Sequence, residues 1–337
     1  MDSSNGSTLG LQTSSRSAKG GSKLSDAHAQ GKNGGARLSI NRLFSEEGSI
    51  YPYLYLVPHG IFFLGFVVYP IFKGLYVSLT DWDMFTNSGT FAGLENYKLL
   101  FNPETVQYVY YWQALGNTFT FVLLSVPLLI GVALGLAVLL SGKLPGKGIF
   151  RTIFFLPTAL TVSVVAVIWR WLLNANHGYA NYLLSKVGIK EIAWLTSQPW
   201  AWISITMATV WWTVGWNMVL LLNGINGIPE ELYEASRIDG ATSWQIFRYI
   251  TVPCLRPVML YVGITTVIAS FNLFGQPQLM TGGGPTRSTL PVMLHIYGEA
   301  WGNYRMGTAT AMAYVTGLFM LVVTLVQARF MSGRIEY

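Results

Sequence analysis

Six stretches of the chain are apolar for long enough to cross a bilayer, which takes about 20 residues of helix. They run roughly from Leu54 to Ser78, Phe119 to Leu140, Ile153 to Leu172, Trp200 to Leu222, Val258 to Met280 and Met306 to Ala328. The second, fourth, fifth and sixth contain no charged residue. The first carries His59 and Lys73; the third follows Arg151 and holds Arg170 near its far end. Tyr51, Tyr53, Trp82, Trp112, Trp171, Trp194, Trp200 and Trp301 sit near the expected ends, where amphipathic rings settle at the lipid–water boundary. The pattern predicts an all-α polytopic membrane protein with six transmembrane helices.

The polar segments between these stretches differ in kind. Residues 1 to about 45 are Ser, Gly, Asn and basic residues with almost nothing to bury, which predicts a disordered tail. The tail lacks the apolar core and cleavage site of a signal peptide. Arg37 to Phe44 mixes Leu38, Ile40, Leu43 and Phe44 with basic residues, and reads equally as a surface-lying segment or a solvated linker. The six-span membrane body is expected over 46–337.

Residues 229–257 form the long charged insertion between two apolar stretches. Pro229 suits a first helical position, and Glu230 and Glu231 follow where the helix dipole favours negative charge. A short helix should therefore start here and stop at Asp239-Gly240, because glycine readily takes the left-handed conformation that closes a helix. Thr242 and Gln245 then read as a capping box opening a second helix, which Pro253 and Pro257 interrupt. The expected device is a helix-turn-helix with small residues Ala235 and Ser236 where another surface can approach.

Composition and charge sharpen this picture. With 52% hydrophobic and 11% charged residues, the excess apolar surface must face lipid. Of the 21 lysines and arginines, 14 fall on the side that six crossings assign to both termini, the 141–151 loop and the 223–257 loop. The positive-inside rule therefore predicts that these are cytoplasmic. The basic residues scatter around apolar stretches and form no stripe, so the net charge of +6 points to membrane orientation and not to nucleic acid. Cys254, the single cysteine, excludes an intrachain disulfide and a cysteine-cluster metal site.

The insertion carries a resemblance. Glu234-Ala235-Ser236, Asp239-Gly240-Ala241, Phe247, Ile250, Pro253 and Pro257 resemble, in type and spacing, the EAA loop of permease subunits of binding-protein-dependent ABC importers. Pro70, Ser78 to Trp82, Gly93 to Tyr97, Asn117-Thr118, Phe150-Arg151 with Pro157, Trp169 to Trp171, Thr281 to Pro285 and Tyr297 are similar to the carbohydrate-type branch. The likeness covers nearly everything after residue 50. It implies a cytoplasmic loop whose helix sits in a cleft of a separate ATPase, with Glu231, Glu234, Ala235, Ser236, Asp239, Gly240, Ala241, Phe247 and Pro253 as the coupling residues. It also implies a second, different permease subunit, two cytoplasmic ATPase subunits that bind ATP and Mg, an extracytoplasmic solute-binding protein, and a plasma (inner) membrane location in a bacterium or archaeon.

No phosphate loop is present: Ser141 to Gly148 has the wrong spacing and no Ser or Thr after its lysines. The chain is thus expected not to be an enzyme and to hold no cofactor of its own. An ion-coupled carrier acting without an ATPase is the rival reading, and a membrane assembly factor is a third. The rival is weakened because no acidic residue falls within a span, and His59 reads more readily as structural than as a proton carrier.

Polar residues inside the spans must line a cavity or bond neighbouring helices. Thr209, Thr213 and Trp216 or Asn217 share one face of the fourth span; Thr266 and Ser270 share a face of the fifth, with Asn272 nearby. Hydroxyls, amides and an aromatic ring suit a sugar's hydroxyls and its C–H face, and interhelical packing is the alternative. Without a ligand-facing charge, the expected substrate is a small neutral carbohydrate or polyol. Gly282 to Pro285 should end the fifth span in a turn, which as a functional site would be a rim touching the solute-binding protein.

Overall fold

The computed structural model describes residues 51–142 and 144–331 of the 337-residue chain. The expected tail over 1–45, including Arg37 to Phe44, lies outside the described residues. The chain divides into two units at Phe62–Phe63. In the first unit the described residues belong to helix α1 (Tyr51–Phe63).

The second unit contains α2 (Tyr69–Ser78), a hairpin of β1 (Thr80–Asp83) and β2 (Ser88–Phe91), α3 (Glu95–Phe101), α4 (Val106–Ser141), α5 (Lys147–Phe155), α6 (Val162–Leu172) and α7 (Tyr179–Lys186). It continues with α8 (Trp200–Asn226), α9 (Glu230–Ile238), α10 (Ser243–Ile246), α11 (Val252–Cys254), α12 (Arg256–Phe271), α13 (Gly275–Met280), α14 (Val292–Tyr297) and α15 (Met306–Met331). The all-α reading holds, with the two-stranded hairpin as an addition that the apolar pattern does not signal.

Among the described residues, four helical stretches are long and apolar enough to cross a membrane, and two bent pairs bring the number to six if each pair is one span. The first bent pair corrects the expected third span, and a gap between two helices corrects the fifth. In place of one helix from Ile153 to Leu172, Lys147–Ala159 and Val162–Leu172 meet at 102°. Pro157 is the physical reason: it removes a backbone donor, the chain tightens into a 3₁₀ turn over Leu156–Ala159, and Thr161 starts a fresh helix by accepting from the Val164 amide. Nor does the fifth run unbroken from Val258 to Met280. Asn272 to Phe274 separate α12 from the six-residue α13, and ahead of the expected start Ser243–Cys254 and Arg256–Phe271 meet at 69°. The expected second span is the apolar part of a longer helix that begins at Val106, where Thr105 caps it by accepting from the Tyr108 amide (3.2 Å).

The main seam lies between α4 and α8. Leu129, Ala133, Ala137 and Leu140 recur at helical spacing on α4 and pack with Val214, Met218, Leu221, Leu222 and Ile225 of α8. Leu123, Leu124, Leu128, Val132 and Leu139 of α4 remain exposed. Since lipid tails are as apolar as leucine, close van der Waals approach and interhelical hydrogen bonds hold such helices together. Gly215 shows how close that approach is: a Cβ there would lie 2.2 Å from the Phe154 carbonyl oxygen and 2.7 Å from Phe155 Cα. At the hairpin, Asn96 donates to the Ser78 and Thr80 carbonyls (both 2.9 Å) and accepts from Thr308 Oγ1 (3.0 Å), fastening β1 and α3 to the last helix.

Candidate functional site

The breaks in the third and fifth spans face a cavity of about 880 Å³, within the usual size of small-molecule sites. Thr158, Ala159 and Val162 come from the first break; Asn272, Leu273, Phe274, Gly275 and Gln276 come from the second. Irregular backbone is tolerated at membrane depth where it is buried in protein or lines such a space. The Trp212 indole N–H donates to the Leu160 carbonyl (3.0 Å), which satisfies one group freed by the first bend.

All seven polar residues singled out from helical spacing line this cavity: Thr209, Thr213, Trp216 and Asn217 from α8, Thr266 and Ser270 from α12, and Asn272 just beyond it. They divide into two groups. Thr209, Asn217, Thr266 and Ser270 are buried and joined to neighbouring elements. Asn217 Nδ2 donates to Thr266 Oγ1 (3.1 Å), and Ser270 Oγ lies 3.3 Å from Ser125 Oγ on α4. These four therefore also serve as interhelical bonds. Thr213 is half-buried and donates to the Thr209 carbonyl (2.8 Å), which leaves its oxygen able to accept. Trp216 is 56% exposed and stacks on Phe155 with ring centroids 6.4 Å apart; Asn272 is exposed and donates to the Ile268 carbonyl (2.8 Å).

Sequence reasoning missed Gln276, Trp212, Thr158 and Thr265, which also line the cavity. An amide inside an apolar stretch was the available signal for Gln276. Phe121, Phe155 and Phe274 supply further aromatic surface, and among the described residues no charged side chain faces the cavity.

The charged insertion folds as its residues predict, with a small shift at its start. Pro229 occupies the N-cap and Glu230 opens α9. Its end is a Schellman closure: the Ala241 amide donates to the Ser236 carbonyl (2.9 Å) and the Gly240 amide to that of Arg237 (3.1 Å), with Gly240 at φ +76°. Gln245 N donates to Thr242 Oγ1 (3.3 Å) and Thr242 N to Gln245 Oε1 (2.7 Å), completing the capping box. Beyond it the helix does not simply stop at proline. A π turn over Phe247–Thr251 leads into α11 with Pro253, and the chain bends at Leu255 before α12.

Glu231, Glu234, Ala235, Asp239 and Gly240 are exposed, and Ser236, Ala241, Phe247 and Pro253 are half-buried. Tyr233 Oη lies 3.2 Å from Thr251 Oγ1, tying the two arms together. The apolar side chains Ile238, Trp244 and Tyr249 stand exposed on the same device, 86% in the case of Ile238.

At the expected rim, Gly282 and Gly283 take positive φ (+62° and +82°) and turn the chain after α13. Asn117 of α4 pins the segment that follows by donating to the Arg287 and Leu290 carbonyls (2.8 and 3.0 Å). The Arg287 guanidinium sits 3.9 Å over the Tyr110 ring and contacts His295 Nδ1 (3.2 Å). Burial, and secondarily the Arg287 charge, push the His295 imidazole down to about 4.

Comparison with known proteins bears on this arrangement. Residues 111–334 match the family described as binding-protein-dependent transport system inner membrane component. The chain belongs to that family. The permease is 35% identical over 288 residues to a probable ABC transporter permease protein of Bacillus subtilis, covering 84% of this chain and 97% of the relative. It is 33% identical over 301 residues to a lactose transport system permease protein of Rhizobium radiobacter, covering 87% and 96%. Its fold is similar to that in the crystal structure of a bacterial ABC transporter involved in import of the acidic polysaccharide alginate. The TM-score is 0.72 at 23% identity, with 89% of this chain and 99% of the other covered. The permease is thus an inner-membrane transport component and not an enzyme.

Proposed function

We propose that this permease forms half of the translocation path for a neutral sugar or related polyol, driven by ATP that a separate subunit hydrolyses. The observation that carries the substrate class is the lining of the cavity between the two helix breaks: hydroxyls, amides and aromatic rings, with no charge among the described residues. A sugar leaving water loses hydrogen bonds at every hydroxyl, and burying them unpaired would be costly. Thr213, Asn217, Asn272 and Gln276 offer replacements, while Trp212, Trp216 and Phe274 offer flat faces to C–H groups. An anionic substrate would find no compensating cation among the described residues that line the cavity.

The exposed helix-turn-helix from Glu230 to Ile250 is the proposed seat of the ATPase. In this reading it faces the cytoplasm together with both termini, as the basic residues indicate. The full assembly would hold a second, different permease, two ATPases that bind ATP and Mg, and an extracytoplasmic solute-binding protein. Closure of the ATPase dimer would pull on Glu231, Glu234 and the Asp239 to Ala241 corner, shifting the helices around the cavity between two states. Family membership favours this over an ion-coupled carrier.

The test is uptake by the reconstituted assembly with labelled lactose, maltose and sn-glycerol-3-phosphate as probes. Preference for a neutral sugar supports the reading. Preference for the phosphate, with neither sugar taken up, overturns the substrate class.

A further inference from the structure

Gln276 differs from the other polar residues of the cavity in that its amide can be oriented from the bonding around it. It stands in the first turn of α13, where Gly275 lies so close to α6 that a Cβ would meet Val162 Cγ2 at 2.6 Å. The residue therefore sits where the two broken spans touch. Only 6% of it is exposed. Its Nε2 donates to Thr209 Oγ1 (3.3 Å), and that hydroxyl spends its own proton on the Ile205 carbonyl (2.8 Å). A hydroxyl whose proton is committed can only accept, so the Gln276 nitrogen must face Thr209 and the oxygen must face away. Among the described residues Oε1 has no hydrogen-bond partner and is not fully enclosed, and Gln276 lines the cavity.

Asn217 is less constrained. Among the described residues no carbonyl accepts the proton of the Thr266 hydroxyl to which it donates, so either end of the Asn217 amide can face it. Of the buried amides lining the cavity, Gln276 is thus the one whose acceptor is held in place before any ligand arrives.

We propose that Gln276 is a specificity-determining residue whose side-chain carbonyl accepts a hydrogen bond from one hydroxyl of the transported sugar, with Thr209 as the positioning residue that keeps the amide from turning over. This rests on the reading of the cavity as the sugar path. A site that meets a substrate hydroxyl with a buried polar group discriminates strongly against the analogue lacking it, because the protein group is then left unpaired.

The experiment uses the complete importer in proteoliposomes, with labelled lactose or maltose, whichever the wild type takes up, and the monodeoxy analogues of that sugar as competitors. Gln276→Met is nearly isosteric and removes the acceptor. It should raise KM about five- to tenfold with the maximal rate nearly unchanged. The wild type should reject one deoxy analogue that the Met variant accepts as readily as the parent sugar. Thr209→Val should reproduce part of the KM increase, and Thr209→Ser, which keeps the accepting oxygen, should restore the wild-type value.

A Met variant with wild-type KM and wild-type rejection of every deoxy analogue overturns the inference. If Thr213→Val raises KM in that same experiment, the cavity remains the path and only the role of Gln276 falls. If neither variant changes KM, or the wild type carries sn-glycerol-3-phosphate and neither sugar, the neutral-sugar path itself is overturned. A fall in maximal rate alone, with KM and deoxy selectivity untouched, assigns Gln276 to packing and also overturns the inference.

Discussion

Replacing Gly240 separates mechanical coupling from local folding. At φ +76° any L-residue other than glycine is strained by about 1–2 kcal/mol, and asparagine tolerates the conformation best. A Cβ added at Gly240 would meet nothing within 4 Å among the described residues, so a side chain there starts out into open space. Gly240→Ala therefore adds strain with little bulk, Gly240→Asn adds bulk with little strain, and Gly240→Trp adds both. If an ATPase docks against this corner, bulk is what harms transport, and uptake should fall in the order Ala, Asn, Trp, with Trp inactive. If the corner matters only for the stability of α9, strain decides, and Asn should be the most active of the three. The assay is sugar uptake by membrane vesicles alongside ATP hydrolysis by the same preparations, normalised to the amount of chain in the membrane. Strain of about 1–2 kcal/mol at one exposed turn is too small and too local to dislodge the spans, so all three variants should reach the membrane. Wild-type uptake by Gly240→Trp, or equal loss in Ala and Trp with normal activity in Asn, would refute the reasoning.

Other positions give separate tests. Gly215→Ala would place a methyl 2.2 Å from the Phe154 carbonyl oxygen, so it should destabilise the bundle by about 1–3 kcal/mol and lower its thermal midpoint in detergent; an unchanged midpoint would contradict the packing. Thr213→Val should raise KM several-fold, since its oxygen is open to the cavity, whereas Ser270→Ala removes only the contact to Ser125 and should cost about 1 kcal/mol of stability with little effect on KM. His295 is held neutral, with its folded pKa near 4 against an ordinary 6.5. Its contribution to stability is thus fully present above about pH 6.5 and lost as the pH falls toward 4. The thermal midpoint of the wild type should fall as the pH drops through that window, while His295→Gln should show a flatter profile; parallel profiles would argue against a buried neutral imidazole.

What could be read before the structure depended on whether a residue's type constrained its local geometry. The Gly240 corner and the Thr242–Gln245 box were legible because each needs a particular backbone conformation or a three-residue spacing. The polar residues on α8 and α12 were legible because hydroxyls and amides stand out at helical spacing in apolar surroundings. The bends were not. Pro157 was visible in the sequence, yet transmembrane helices often accommodate proline, and nothing local says that the chain will turn by 102° there. Nor could pattern alone distinguish the side of α4 that meets α8 from the side left exposed, since both are apolar; Leu128 and Leu129 are adjacent, and only the second is in the core. Gln276 was passed over because the fifth span was read as one helix, which conceals the break that turns its amide toward Thr209.

In the proposed function, force reaches this bundle from a separate ATPase through the loop between α8 and α12. The most direct measurement is uptake of a labelled sugar by proteoliposomes holding both permeases and the solute-binding protein, with and without the ATPase subunits and ATP. Accumulation only when ATPase and ATP are both present is the predicted result. Accumulation by this chain without them, driven by an ion gradient, would contradict the account.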